Sequence, residues 1–216
     1  EITKYKISND RYKIYSTSTV VSDEETPLTA IKNSKNSSMW NSINSQIISG
    51  AHITLSAGNT GVLFVISRML LKTIEFVNKP ALAGLWPNEK NMNVVLDLGA
   101  NVECDEKNLI DFSEMGAALY KSLFPEDTPK VALLNIGSEE IKGTDTLKKA
   151  YAKLKEISTY GDFQFNGFIE GNKITDGESN VIVTDGFTGN IALKTAEGTA
   201  KFITDSLRKS LTSTLL

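Results

Sequence analysis

The chain has 216 residues, 40% hydrophobic and 23% charged, with a formal net charge of -3, the proportions of a soluble globular protein. That acidic balance argues against a general nucleic-acid binder, which presents a basic face. The longest apolar stretch, 61–71, is interrupted by Ser67 and Arg68 and falls short of the roughly 20 residues of a membrane span.

One cysteine, Cys104, forbids an internal disulfide and makes a reducing, cytoplasmic setting the default. One histidine, His52, leaves no multi-histidine metal site. The chain starts at Glu1, and residues 1–15 lack the apolar core of a signal peptide. It reads as a fragment cut at both ends, and as one α/β domain over 1–216.

In chain order, residues 12–15 read as a short strand and 19–27 as an acidic loop. Ser37 or Ser38 is placed to cap a helix whose apolar face holds Trp40, Ile43 and Ile47. Residues 52–55 read as a strand, the turn SAGNTG (56–61) follows, and 62–77 reads as a buried helix. Strands are then expected near 81–86 and over 94–98, the latter ending in Asp97, Gly99 and Asn101. A helix is expected from about Lys107, a strand over 131–136, and the turn GSEEIKG over 137–143. A helix with Leu147, Ala150, Tyr151, Leu154 and Ile157 on one side comes next, then a strand over 163–169. The apolar run 181–183 ends in a turn containing Asp185, Gly186, Gly189 and Asn190. An amphipathic helix from about Ile191 closes the chain.

Strands alternating with helices argue for a layered α/β fold with a largely parallel sheet. Four strand ends carry Gly beside Asn or Asp: Gly58 with Asn59 and Thr60; Asp97 with Gly99 and Asn101; Asn135 with Gly137; and Asp185 with Gly186 and Asn190. Parallel strands put their carboxyl ends on one edge, so these turns are expected to converge on a ligand. Glycine N–H groups, amides and a threonine hydroxyl suit phosphate or another oxyanion. Lys142, inside its turn, is the natural cation. Asp97 and Asp185 are expected to accept hydrogen bonds rather than share a metal. No Walker loop, GxGxxG fingerprint or zinc spacing is present, so no metal and no cofactor are expected.

The motifs SAGNTG (56–61), LDLGAN (96–101), LLNIGSEEIKG (133–143), GFIEG (167–171) and TDGFTGNIALKTAEG (184–198) together resemble the signature set of the PlsX-type phosphate acyltransferases. The resemblance runs from about Ile14 to about Lys201. It implies a fold like that of isocitrate and isopropylmalate dehydrogenases, shared with phosphotransacetylase. It implies formation of acyl-phosphate from long-chain acyl-acyl carrier protein and inorganic phosphate, an early step of bacterial phospholipid synthesis. A homodimer at the inner membrane face, supplying a downstream glycerol-3-phosphate acyltransferase, is implied too. Under this resemblance Lys142 and Asp185 are the catalytic candidates. Gly58, Asn59, Thr60, Asp97, Gly99, Asn101, Gly186 and Asn190 are candidate phosphate and substrate contacts. The last helix offers Lys201, Arg208 and Lys209 to an acidic carrier, with Phe202, Ile203, Leu207 and Leu211 on its other side. Departures from the family pattern are a missing amino-terminal strand with its Gly-Gly-Asp turn, Ser34-Lys35 in place of paired basic residues, and Val62 in place of alanine.

Alternatives are a phosphotransacetylase-like enzyme using acyl-CoA, and a non-catalytic binder of anions or carrier protein. A nucleotide-linked dehydrogenase of this fold is disfavoured by the lack of a paired-aspartate motif.

Overall fold

The computed structural model describes residues 4–22 and 26–213, which divide into two compact units, 1–73 and 74–216. The acidic loop expected over 19–27 and the end of the last helix therefore lie partly outside the described residues.

The amino-terminal unit is helical. Helices α1 (Pro27–Asn33), α2 (Ser38–Ile48) and α3 (Thr60–Leu71) pack around Met39, Ile43, Val62 and Ile66. Ser37 caps α2, its side chain accepting from the Trp40 amide. The two strands expected here are absent from the described residues. Residues 12–15 and 52–55 have no ladder partner, and Ile53 and Leu55 are 83% and 91% exposed. Apolar alternation makes a strand only where a neighbour satisfies its backbone. Helix α3 stops at Leu71 rather than near 77, because Lys72 takes a left-handed φ of +62° that no helix can continue through.

The carboxy-terminal unit is a five-stranded sheet, in the order β1-β2-β5-β3-β4. The strands are β1 (Gly84–Pro87), β2 (Met92–Leu96), β3 (Lys130–Leu134), β4 (Gln164–Ile169) and β5 (Val181–Val183). Only β1 is antiparallel to its neighbour, so the sheet is largely parallel, as expected. Helices α4 (Glu106–Leu123), α5 (Asp145–Ile157) and α6 (Gly186–Ser213) complete the unit.

Successive strand residues point to opposite faces. Val94, Leu96, Val131, Leu133, Val181 and Val183 therefore pack with Leu109 and Phe112 of α4 and Ala150 and Leu154 of α5. Val95, Ala132 and Ile182 point the other way, into a second cluster with Leu98 and Ile174, which Leu193 of α6 joins. Burial on both faces explains why these strands read as continuous apolar runs. Gly116 brings α4 onto the sheet: a β-carbon there would lie 2.6 Å from Val181 Cγ1.

Candidate active site

Strands β2, β5, β3 and β4 are mutually parallel, so their carboxyl ends share one edge of the sheet. A cleft of about 1150 Å³ opens there. Three helix starts border it. Cys104 and Leu109 come from the start of α4, Thr144, Thr146 and Leu147 from the start of α5, and Asp185, Phe187, Thr188 and Ile191 from the start of α6. Leu134, Asn135, Ile136 and Gly143 form the wall beneath β3. The lining is mostly apolar, with a few hydroxyl, amide and carboxylate groups among it. Helix amino termini carry partial positive charge, so this edge favours anions beside an apolar surface.

Asp185 is the amino-terminal cap of α6. Its Oδ1 accepts from the Thr188 amide at 2.7 Å, and its Oδ2 accepts from the Thr188 hydroxyl at 2.9 Å. The cap starts the helix at Gly186, five residues earlier than the glycines in the sequence indicate. Gly186 and Gly189 are thus helical, and each is buried against backbone. A β-carbon at Gly186 would lie 2.6 Å from the Asn101 carbonyl oxygen, which accepts a hydrogen bond from the Gly186 amide at 2.8 Å. Here the glycines serve close approach of a helix to a turn.

That turn is organised by Asp97. The side chain is fully buried. Its Oδ1 accepts from the amides of Leu82, Gly99 and Ala100, and its Oδ2 accepts from the amide and the side-chain Nδ2 of Asn101. With its lone pairs engaged, the carboxylate holds the turn and presents nothing to the cleft. Asn101 is buried as well, its Nδ2 shared between Asp97 and the Pro80 carbonyl oxygen. Gly99, at φ +131°, lies beneath Asn190: a β-carbon there would be 3.4 Å from Asn190 Cγ. Asn190 itself is exposed.

Lys142 is exposed and makes no ion pair among the described residues. It adjoins Gly143 on the cleft wall. The acidic neighbour Glu140 pairs instead with Lys155, at 2.9 Å. Gly58, Asn59 and Thr60 belong to the amino-terminal unit, where Asn59 Oδ1 caps α3 by accepting from the Val62 amide at 3.1 Å.

Cys104 and Asn135, both noted in the sequence, line the cleft as well. Cys104 is half-buried on the cleft wall, and burial pushes its thiol above the ordinary cysteine range. Asn135, 8% exposed, has a side-chain oxygen with no hydrogen-bond partner. Its place at the end of an apolar strand, beside Gly137, is the signal in the sequence.

Comparison with known proteins fixes the relationship. A family model described as fatty acid synthesis protein matches residues 1–216. The chain belongs to that family. Its relatives include a phosphate acyltransferase of Pelagibacter ubique, 56% identical over 211 residues that span 98% of this chain and 63% of the relative. Another, of Maricaulis maris, is 44% identical over 93% of this chain and 56% of its own length. This family member therefore spans about three fifths of the curated relatives it matches. Among solved structures, a phosphotransacetylase from Streptococcus pyogenes aligns with a TM-score of 0.62 at 14% identity, covering 93% of this chain and 70% of that one. EutD phosphotransacetylase from Staphylococcus aureus aligns at 0.56 and 14%, with the same coverage. At that identity the likeness shows the fold alone, and it agrees with the α/β fold expected from the strand and helix alternation.

Proposed function

We propose that this chain carries the acyl-transfer site of a phosphate acyltransferase, which makes acyl-phosphate from a long-chain acyl-acyl carrier protein and inorganic phosphate. The observation that carries the reading is the cleft itself, an apolar trough at the strand ends with helix amino termini on its border. An acyl chain needs the first and an anionic nucleophile the second.

In this mechanism a phosphate oxygen attacks the thioester carbonyl carbon. The carbonyl oxygen becomes an oxyanion, collapse breaks the C–S bond, and the thiolate takes up a proton. Phosphate is already anionic at neutral pH and needs positioning more than deprotonation. Lys142 neutralises charge on the phosphate or the oxyanion. Asp185 orients Lys142 or accepts a phosphate proton. Asn190 and the amino terminus of α6 hold the anion. Asp97 serves through the turn it organises. No covalent enzyme intermediate, metal or cofactor enters the scheme.

The last helix fits the remaining proposals. From Phe202 to Leu211 it is solvent-exposed, and Phe202, Ile203, Leu207 and Leu211 are 71%, 50%, 57% and 68% exposed. Such a stripe supports a homodimer or a resting place on the inner membrane face, and Lys201, Arg208 and Lys209 support docking of an acidic carrier. No helix among the described residues is long and apolar enough to cross a membrane. Delivery of acyl-phosphate to a glycerol-3-phosphate acyltransferase completes the reading.

The test is acyl-phosphate formation from palmitoyl-acyl carrier protein and phosphate by the full-length protein, alone and as Lys142→Ala. Product from the parent and near-total loss in a folded variant is the expected result. No product from the parent, with thiol released from acetyl-CoA and phosphate, would establish the second reading, a CoA-dependent phosphotransacetylase.

A further inference from the structure

The turn between β3 and α5 carries Lys142 and is tied down on two sides. On the inner side, Asn135 Nδ2 donates to the Lys142 carbonyl oxygen at 3.2 Å. Gly143 lies against the same carboxamide, at φ +87°, and a β-carbon there would stand 2.4 Å from Asn135 Oδ1. On the outer side, Glu140 Oε1 accepts from the Tyr151 hydroxyl at 2.7 Å and from Lys155 Nζ at 2.9 Å.

Tyr151 is a firm anchor. Its ring centroid sits 4.7 Å from that of Phe168 and 5.2 Å from that of Phe165. Gly167, at φ +82°, leaves room for it, since a β-carbon there would lie 3.2 Å from the ring. Between the two ties the turn has little apolar support. Ile136 and Ile141 are 81% and 80% exposed. The stem of Lys142 folds back over Gly137, where a β-carbon would come within 3.1 Å of Lys142 Cγ. Polar ties, rather than core packing, therefore set the path of this turn.

We propose that Glu140, Tyr151 and Asn135 are positioning residues for Lys142, fixing the path of the turn that carries it and so where its ammonium group stands. The proposal rests on the acyltransferase reading and on the role given there to Lys142. Its logic is preorganisation. A group misplaced by about 1 Å can cost up to ~10²-fold in rate. An exposed ion pair such as Glu140–Lys155 adds little to stability. The ties should therefore appear in turnover and not in melting temperature.

The experiment is a double-mutant cycle on the full-length protein, reading kcat, KM for phosphate and melting temperature. Glu140→Ala and Tyr151→Phe are each made alone and in the Lys142→Ala background. We expect each single change to lower kcat about tenfold, within the range that misplacement produces, with melting temperature unchanged. Glu140→Gln, which still accepts from Tyr151, should recover most of the loss. In the Lys142→Ala background, Glu140→Ala should cause no further loss of the residual rate. Equal losses in both backgrounds would overturn the proposal, because the turn would then act independently of the lysine. So would an unchanged rate in Glu140→Ala beside an inactive Lys142→Ala. A fully active Lys142→Ala protein would overturn the lysine's role and this proposal with it.

Discussion

Gly189 lies so close to Asp97 that a β-carbon on the glycine would stand 1.9 Å from the aspartate's carbonyl oxygen. Alanine in a helix interior ordinarily gains about 1 kcal/mol over glycine. At position 189 the closest clash is with the backbone of Asp97, which cannot swing aside as a side chain can. Gly189→Ala should destabilise the protein by roughly 3 kcal/mol or more, the upper range for overpacking. Gly198, in the same helix, has open space around it. Gly198→Ala should therefore stabilise by roughly 0.5–1 kcal/mol. Thermal unfolding of the two variants should show shifts of opposite sign.

Asp185 has two separable jobs in this scheme, capping α6 and acting on substrate. Serine retains a capping oxygen and loses the carboxylate, whereas alanine loses both. Asp185→Ala should cost about 0.5–2 kcal/mol of stability, the usual value of a cap, while Asp185→Ser should melt close to the parent. Both should fall to a low rate of acyl-phosphate formation. An Asp185→Ser protein with full activity would confine the residue to capping.

Cys104 lines the cleft, yet its thiol is held protonated by burial. The thiolate is the reactive form, so alkylation by iodoacetamide at pH 7 should be slower than for an exposed thiol and should rise with pH. Direct transfer to phosphate needs no thiol. Cys104→Ala should retain acyl-phosphate formation, and its loss in a folded variant would call for a covalent step.

Tyr120 supplies a pH signature of the fold. The residue sits on the buried face of α4, and its hydroxyl donates to Asp127 Oδ2 at 2.9 Å. Burial, then that hydrogen bond and the aspartate's charge, push the phenol up to about 12 from 10. The folded state thus holds the proton over a range where the unfolded chain releases it. The stabilisation is complete below pH 10 and is lost as pH rises from 10 toward 12. Denaturation midpoints of the parent should fall across this window, and those of Tyr120→Phe should fall less steeply.

The carboxy-terminal unit was legible in sequence because its strands are buried on both faces. Runs such as Val181 to Val183 and Val94 to Leu96 have no other sensible state, and the glycine and proline turns between them mark the helices. Residues 52–55 carry the alternation of a half-buried strand without a paired neighbour, and periodicity alone does not reveal whether a neighbour exists. Gly186 and Gly189 read as loop because helices disfavour glycine, and the close approach that demands them is a tertiary fact. The candidate residues around Asp97 were recognised by type. Their arrangement was not, since only coordinates reveal that Asp97 is occupied by its own turn. Likewise, the Glu140 to Tyr151 tie joins residues eleven apart through a helix packing no local pattern encodes.

The sheet order has a consequence for how this unit comes to exist. Of these five strands β5 is synthesised last and has only three residues, yet it lies between β2 and β3. Until it emerges from the ribosome, β1-β2 and β3-β4 are two separate ribbons with an open slot between them. Each ribbon exposes an unpaired edge and one flank of an apolar layer, the kind of surface that chaperones cover and other chains invade. Closure is then a single late event, in which one short segment supplies both missing ladders and draws α6 over the second face. Ribosome-stalled chains ending before Asn180 should accordingly be digested readily by protease, whereas chains in which α6 has cleared the exit tunnel should resist it.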